Sequence, residues 1–333
     1  MNKKDFFQII PSIEAIYKMD EFGKKGIPFL FIIDYNAQNA IVLSDKNLNN
    51  SKILFDFPNA SNVPKKSKRI VKNLRFDKFP VTKEEYFKKF DFIKNEIQKG
   101  NSFLTNLTLP TPISTNISLE DIFYLSEAKF KLYLQDWFVV FSPEIFVNIE
   151  KNKISSFPMK GTINAKIPDA ENIILNSTKE KAEHATIVDL IRNDLSIVAS
   201  DVEVKRFRYV ERIKTNQSEL LQVSSHIEGK LSSNYKEQLG SIIFQLLPAG
   251  SISGAPKPKT LEIIEKAENY ERGFYTGVCG FFDGNNLESA VMIRFIEQTE
   301  SGLIFKSGGG ITFLSNPENE YEELIEKVYV PIY

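Results

Sequence analysis

Cysteine is nearly absent from this chain: its 333 residues include one, Cys279. One cysteine cannot close an intramolecular disulfide, so nothing points to an oxidising compartment. Histidine is almost as scarce, with two residues, which leaves too few ligands for a His/Cys zinc site. Any metal would be held by oxygen, which favours a hard ion such as magnesium. An excess of charge is missing as well. The 42 Lys+Arg and 43 Asp+Glu leave a formal charge of −1, which argues against a broad nucleic-acid footprint. Long apolar runs are lacking: residues 28–33 are strand length and far short of a membrane span. Residues 1–11 lack the apolar core of a signal peptide, so a cytoplasmic protein is expected.

What is present looks globular. Hydrophobic residues make up 42% and charged residues 26%, close to the average, and the length suffices for a sizeable core. Residues 29–33 and 40–43 read as paired strands around the turn Asp34-Tyr35-Asn36. The first hundred residues read as strand-rich. Lys65, Lys66, Lys68, Arg69, Lys72, Arg75 and Lys78 form a basic stretch that reads as solvated surface. Thr82 with Glu85 resembles a capping box opening a helix, and Phe87, Phe90, Ile93 and Ile97 keep its period up to Gly100. Ser118 is placed to cap another helix. Strands are expected over 137–141, 145–149, 153–157, 274–282, 287–296 and 303–307. Helices are expected over 178–199, 239–247, 259–267 and 317–328. The class is α+β, as one large unit.

Several segments suggest chemistry. Glu180 and Glu183 are three apart on a helix and project from nearly one face, as do Glu320 and Glu323. Such pairs hold a divalent ion, or merely suit an acidic first helical turn. Asn316 fits an N-cap and Pro317 the first helical position. Ser307-Gly308-Gly309-Gly310-Ile311-Thr312 lets backbone N–H groups approach an anion, or forms a tight turn or bulge. Lys160 precedes Gly161 at a strand end, and residues 250–257 form a Gly/Ser loop opening a helix.

Together these segments resemble the chorismate-utilising enzymes. The marks are Ser142-Pro143-Glu144, Pro158-Met159-Lys160-Gly161-Thr162, Lys179-Glu180-Lys181-Ala182-Glu183-His184, Asp189-Leu190-Ile191-Arg192-Asn193-Asp194-Leu195, residues 248–257, Arg272-Gly273-Phe274-Tyr275-Thr276-Gly277, Ile293-Arg294 and Gly308-Gly309-Gly310-Ile311, in the family's order. The resemblance implies two mostly antiparallel sheets packed together with helices outside. It implies one catalytic domain over 1–333, with a shortened, divergent part over 1–100 and the family core over 101–328.

The resemblance also implies roles. Lys160 matches the aminodeoxychorismate synthase branch, where anthranilate synthases carry Ala. That lysine is proposed to attack chorismate at C2 and expel the 4-hydroxyl, after which ammonia adds at C4. Attack requires a neutral lysine, so a depressed pKa is expected. Glu144 matches the acid that protonates the departing hydroxyl. Glu183 and Glu320 match the principal Mg2+ ligands, supported by Glu180 and Glu323. Thr162, Tyr275, Arg294, Gly309, Gly310 and Lys327 match substrate-binding positions. Gln222 stands where the family often has histidine, and His226 reads as a surface strand residue. Residues 101–108 fall where relatives form part of a tryptophan pocket.

Cys279 lacks a nucleophile-elbow context, so ammonia is expected from a separate glutamine amidotransferase subunit. Neither a nucleic acid nor a membrane is an expected partner. The competing readings are anthranilate synthase, isochorismate or salicylate synthase, and a non-catalytic chorismate- or amidotransferase-binding protein.

Overall fold

The structure, a computed structural model, describes residues 7–48, 51–64, 73–214 and 219–332. Lys65, Lys66, Lys68, Arg69 and Lys72 of the basic stretch lie outside them. Among the described residues, ten strands form one sheet and eight form another, and every pairing is antiparallel. The first sheet runs Ile10–Pro11, Asn39–Ser44, Phe29–Ile33, Val278–Phe282, Leu287–Val291, Ile145–Glu150, Lys153–Ser156, Glu219–Lys230, Met159–Asn164, and Ser200–Lys214 also pairs with Glu219–Lys230. The second runs Gly254–Ala255, Leu104–Thr115, Gly302–Thr312, Phe295–Thr299, Phe138–Ser142, Phe130–Leu134, Ile53–Asp56, and Phe76–Lys78 joins Leu104–Thr115.

The strand Phe29–Ile33 explains why its sequence is apolar without alternation. Leu30 and Ile32 face the second sheet, where Phe130, Leu132, Phe138 and Phe295 meet them. Phe29, Phe31 and Ile33 face outward into a helical layer that includes Ala15, Met19, Val188, Leu195, Leu239 and Ile243. Successive side chains point to opposite faces, and here both faces are covered. On the far side of the second sheet, the helices Lys83–Gln98, Lys257–Glu268 and Pro317–Glu326 pack on Leu107, Leu109 and Ile311. The expected architecture is therefore present: two packed antiparallel sheets with helices outside. Among the described residues, no helix is long and apolar enough to cross a membrane.

The expected caps form, although at Thr82 only half of the expected box is made, with no return bond from the Glu85 side chain among the described residues. Thr82 Oγ1 accepts from the Glu85 N–H, Ser118 and Asp121 make a reciprocal capping box, and Asn316 accepts from the N–H groups of Glu318 and Asn319. Other local expectations need correction. The strand-rich reading of the first hundred residues overlooks the helix Ser12–Lys25, whose apolar face is thin and ends at Gly26. Residues 287–296 are not one strand. The chain leaves the first sheet at Val291 and enters the second at Phe295, turning through Arg294 in the left-handed region at φ 55°. Residues 303–307 belong to a longer strand, Gly302–Thr312, so the three glycines lie inside a sheet rather than in a turn.

Candidate active site

Two adjoining pockets share Asn106, Glu144, Met159, Lys160, Ser251 and Gly310 in their walls. They form one cleft with two lobes. One lobe is largely apolar, with Ile187, Ile191 and Leu195 of the Thr178–Val198 helix beside Glu183. The other is polar and cationic, with Arg294, Lys306, Lys327, Gln222, Tyr275 and residues Ser307 to Gly310.

Lys160 lies on the strand Met159–Asn164, which is bulged against Glu219–Lys230 between Met159 and Thr162. Gly161 takes φ +88° there, and a Cβ on it would lie 2.7 Å from Glu180 Oε2. Only glycine fits this backbone beside that carboxylate. Lys160 Nζ is 3.1 Å from Glu183 Oε2. Burial works to lower the Lys160 pKa, but the charges of Glu183, Glu323 and Glu320 and the hydrogen bond to Glu183 outweigh it, and the net shift is upward. The depressed lysine expected for attack is therefore not what this arrangement produces. The acids around Lys160 hold it as an ammonium.

Glu144 shows the opposite balance. Burial raises its carboxyl above the usual range, against a hydrogen bond from Ser251 Oγ and the charges of Lys327 and Arg294. A raised carboxyl holds its proton more readily, which suits a general acid.

The Pro317–Glu326 helix brings Glu320 and Glu323 to the glycine strand. A Cβ on Gly309 would lie 3.6 Å from Glu320 Oε2, 3.7 Å from Lys327 Nζ and 3.9 Å from Glu323 Oε1, and one on Gly310 would lie 4.0 Å from Lys160 Nζ. Lys327 pairs with Glu323 at 2.6 Å and donates to the Gly308 carbonyl at 2.9 Å. Burial lowers its pKa. Arg294 makes no ion pair among the described residues, and its guanidinium sits 5.4 Å from the Tyr329 ring centroid. A cationic fork of this kind suits a carboxylate.

Among the described residues, no three His, Cys, Asp or Glu side chains converge on one point as a ready metal cluster. The donor set nevertheless has the chemistry of a magnesium site. It is all carboxylate, it comes from two helices, and the buried Glu180 Oε2 has no hydrogen-bond partner. Magnesium needs only one or two carboxylates when a ligand and waters complete its shell.

Of the residues expected at the site, Glu144, Lys160, Glu183, Gln222, Tyr275, Arg294, Gly309, Gly310 and Lys327 line the cleft. Thr162 is exposed and lies opposite Gln222 in the strand pair, without lining either lobe. His226 is half-buried rather than a surface residue: it stacks on Phe157 at 4.7 Å, away from the cleft. His184, next to Glu183, is fully buried with Nε2 2.7 Å from Ser225 Oγ, and burial pulls its pKa down to about 4. Asn106, Thr276 and Lys306 also line the cleft without having been expected as site residues, although Thr276 lies within the 272–277 motif and Asn106 within residues 101–108. Leu104 and Asn106 place the 101–108 segment at the cleft.

The sequence matches the chorismate binding enzymes over residues 27–332. The chain belongs to that family. An uncharacterised PabA-like protein of Haemophilus influenzae is 52% identical over 317 residues, covering 95% of this chain and 96% of that protein. Aminodeoxychorismate synthase component 1 of Bacillus subtilis is 31% identical over 265 residues, 75% of this chain and 55% of that one. The putative 2,3-dihydroxybenzoate-specific isochorismate synthase DhbC of Bacillus anthracis shares the fold, with a TM-score of 0.69 at 18% identity over 97% of this chain and 90% of that one. The cleft is thus the candidate active site of a chorismate-utilising family member. Its polar lobe presents Arg294, Lys306 and Lys327.

Proposed function

We propose that this protein is an aminodeoxychorismate synthase component I, making 4-amino-4-deoxychorismate from chorismate and ammonia. One observation carries the reading: Lys160 and Glu144, whose carboxyl burial raises above the usual range, both line the junction of the two lobes. Lys160 attacks C2 as Glu144 protonates the departing 4-hydroxyl, which leaves as water. Ammonia then bonds to C4, and the lysine nitrogen leaves C2 with its electron pair. Arg294, Lys327 and the Gly309-Gly310 backbone hold the substrate carboxylates. Tyr275 and Gln222 border the ring.

Glu183 and Glu320, supported by Glu180 and Glu323, hold Mg2+ in this reading. A bound cation would balance the acidic charge that keeps Lys160 protonated, and would thereby lower its pKa. The ammonia comes from a separate glutamine amidotransferase. Cys279 supports this, because it is buried in the strand Val278–Phe282 with its thiol pKa raised by burial, and a glutaminase needs an accessible thiolate.

The test is to incubate the purified protein with chorismate, magnesium and ammonium and to identify the product by mass. Aminodeoxychorismate is expected. Anthranilate, isochorismate or salicylate would overturn the reading, and so would the absence of turnover with a competent amidotransferase present.

A further inference from the structure

The junction between the lobes holds a side-chain amide, that of Asn106, which the reaction above does not use. Asn106 lies on the strand Leu104–Thr115, directly opposite Gly310 on Gly302–Thr312. Residues directly opposite each other in an antiparallel pair project to the same face. A Cβ on Gly310 would lie 4.0 Å from Lys160 Nζ, so the Asn106 side chain is directed to the face that carries the lysine.

Its backbone is pinned on both edges. The Asn106 N–H donates to the Ser253 carbonyl at 2.9 Å, and its carbonyl accepts from Arg272 Nη2 at 3.0 Å. Arg272 is itself buried and paired with Glu268 at 2.6 Å. The side chain is a different matter: Oδ1 is shielded from solvent and has no hydrogen-bond partner. A buried polar atom left unpaired in a well-anchored strand calls for a missing partner.

We infer that Asn106 is the side chain that receives ammonia and directs it at the ring. The inference rests on the amination reading above. Ammonia must stay neutral to react, with its lone pair free for C4 and its N–H bonds satisfied. A carboxylate in this place would favour ammonium, which has no lone pair to give. An amide carbonyl accepts an N–H without that bias. Among the six residues common to both lobes, Asn106 is the only side-chain amide. The apolar lobe beside it favours a neutral molecule over an ion. The balance is complete. The new C4–N bond leaves a surplus proton on nitrogen, which passes to the Glu144 carboxylate formed when the hydroxyl departed, and Lys160 recovers its electron pair.

The test is steady-state kinetics with ammonium chloride and chorismate, varied independently at fixed magnesium, on wild type, Asn106→Ala and Asn106→Asp. Asn106→Ala should raise the KM for ammonium about ten-fold, the loss of one hydrogen bond, with the KM for chorismate little changed. Asn106→Asp keeps the shape and serves if the alanine variant does not fold. It should hold ammonium and move the ammonium dependence to higher pH. An unchanged ammonium KM, or an equal rise in both KM values, overturns the inference. Wild type that makes no aminated product overturns the functional reading itself, and the role of Asn106 with it.

Discussion

Lys160 Nζ lies 3.1 Å from Glu183 Oε2, so the candidate nucleophile and a candidate metal ligand form one ion pair. The pair is asymmetric: Glu183 is buried on the helix, whereas Lys160 is half-buried at the cleft wall. The acids that would bind a metal are therefore the ones that hold the lysine charged. Lys160→Ala should lower turnover by about 10²-fold or more while far-UV circular dichroism stays native. Turnover near the wild-type rate would remove Lys160 from the chemistry.

Metal dependence follows from the same pair. Chelation should abolish turnover, and added Mg2+ should restore it. Glu183→Gln and Glu320→Gln should each raise the magnesium needed for half-maximal rate by at least about ten-fold. Turnover that survives exhaustive chelation would contradict the assignment.

Glu144 predicts a pH limb. A general acid works in its protonated form, and burial raises this carboxyl above its usual range. The rate should therefore fall as pH rises through that raised value. Glu144→Gln should lose about 10²- to 10⁴-fold and flatten the limb. Ser251 Oγ donates to the carboxylate and so favours ionisation. Ser251→Ala should move the limb to higher pH, and a move to lower pH would refute the assignment.

Stability should depend on Arg272 and Glu268, both almost wholly buried and 2.6 Å apart. Thr108 also donates to Glu268 through its N–H and its hydroxyl. Glu268→Ala leaves a buried guanidinium uncompensated and should cost about 3–5 kcal/mol in urea unfolding. Glu268→Gln should cost less, because its amide oxygen still accepts hydrogen bonds. Equal losses in the two variants would show that charge is not what matters there.

Much of the site was legible as short motifs. Glu180 with Glu183 and Glu320 with Glu323 stand out because helical spacing places each pair on one face, and Lys160 because a glycine follows it at a strand end. Asn106 gave no such signal. Its importance comes from Gly310, some two hundred residues away, and from the register that sets them opposite each other. Thr162 shows the converse, since it belongs to a matching motif yet lies outside the cleft.

The sequence alone determined the local elements whose causes are local: the caps at Thr82, Ser118 and Asn316, the paired strands around Asp34, and the carboxylate pairs on their helices. It also determined the family, through motifs kept in order. Tertiary structure decided the rest. The break at Arg294 exists because the chain passes from one sheet to the other, and the glycine run is a strand because Leu104–Thr115 pairs with it along its length. The upward shift of the Lys160 pKa depends on acids from two distant helices reaching it at once. Electrostatics at that range is set by packing, and no window of sequence contains it.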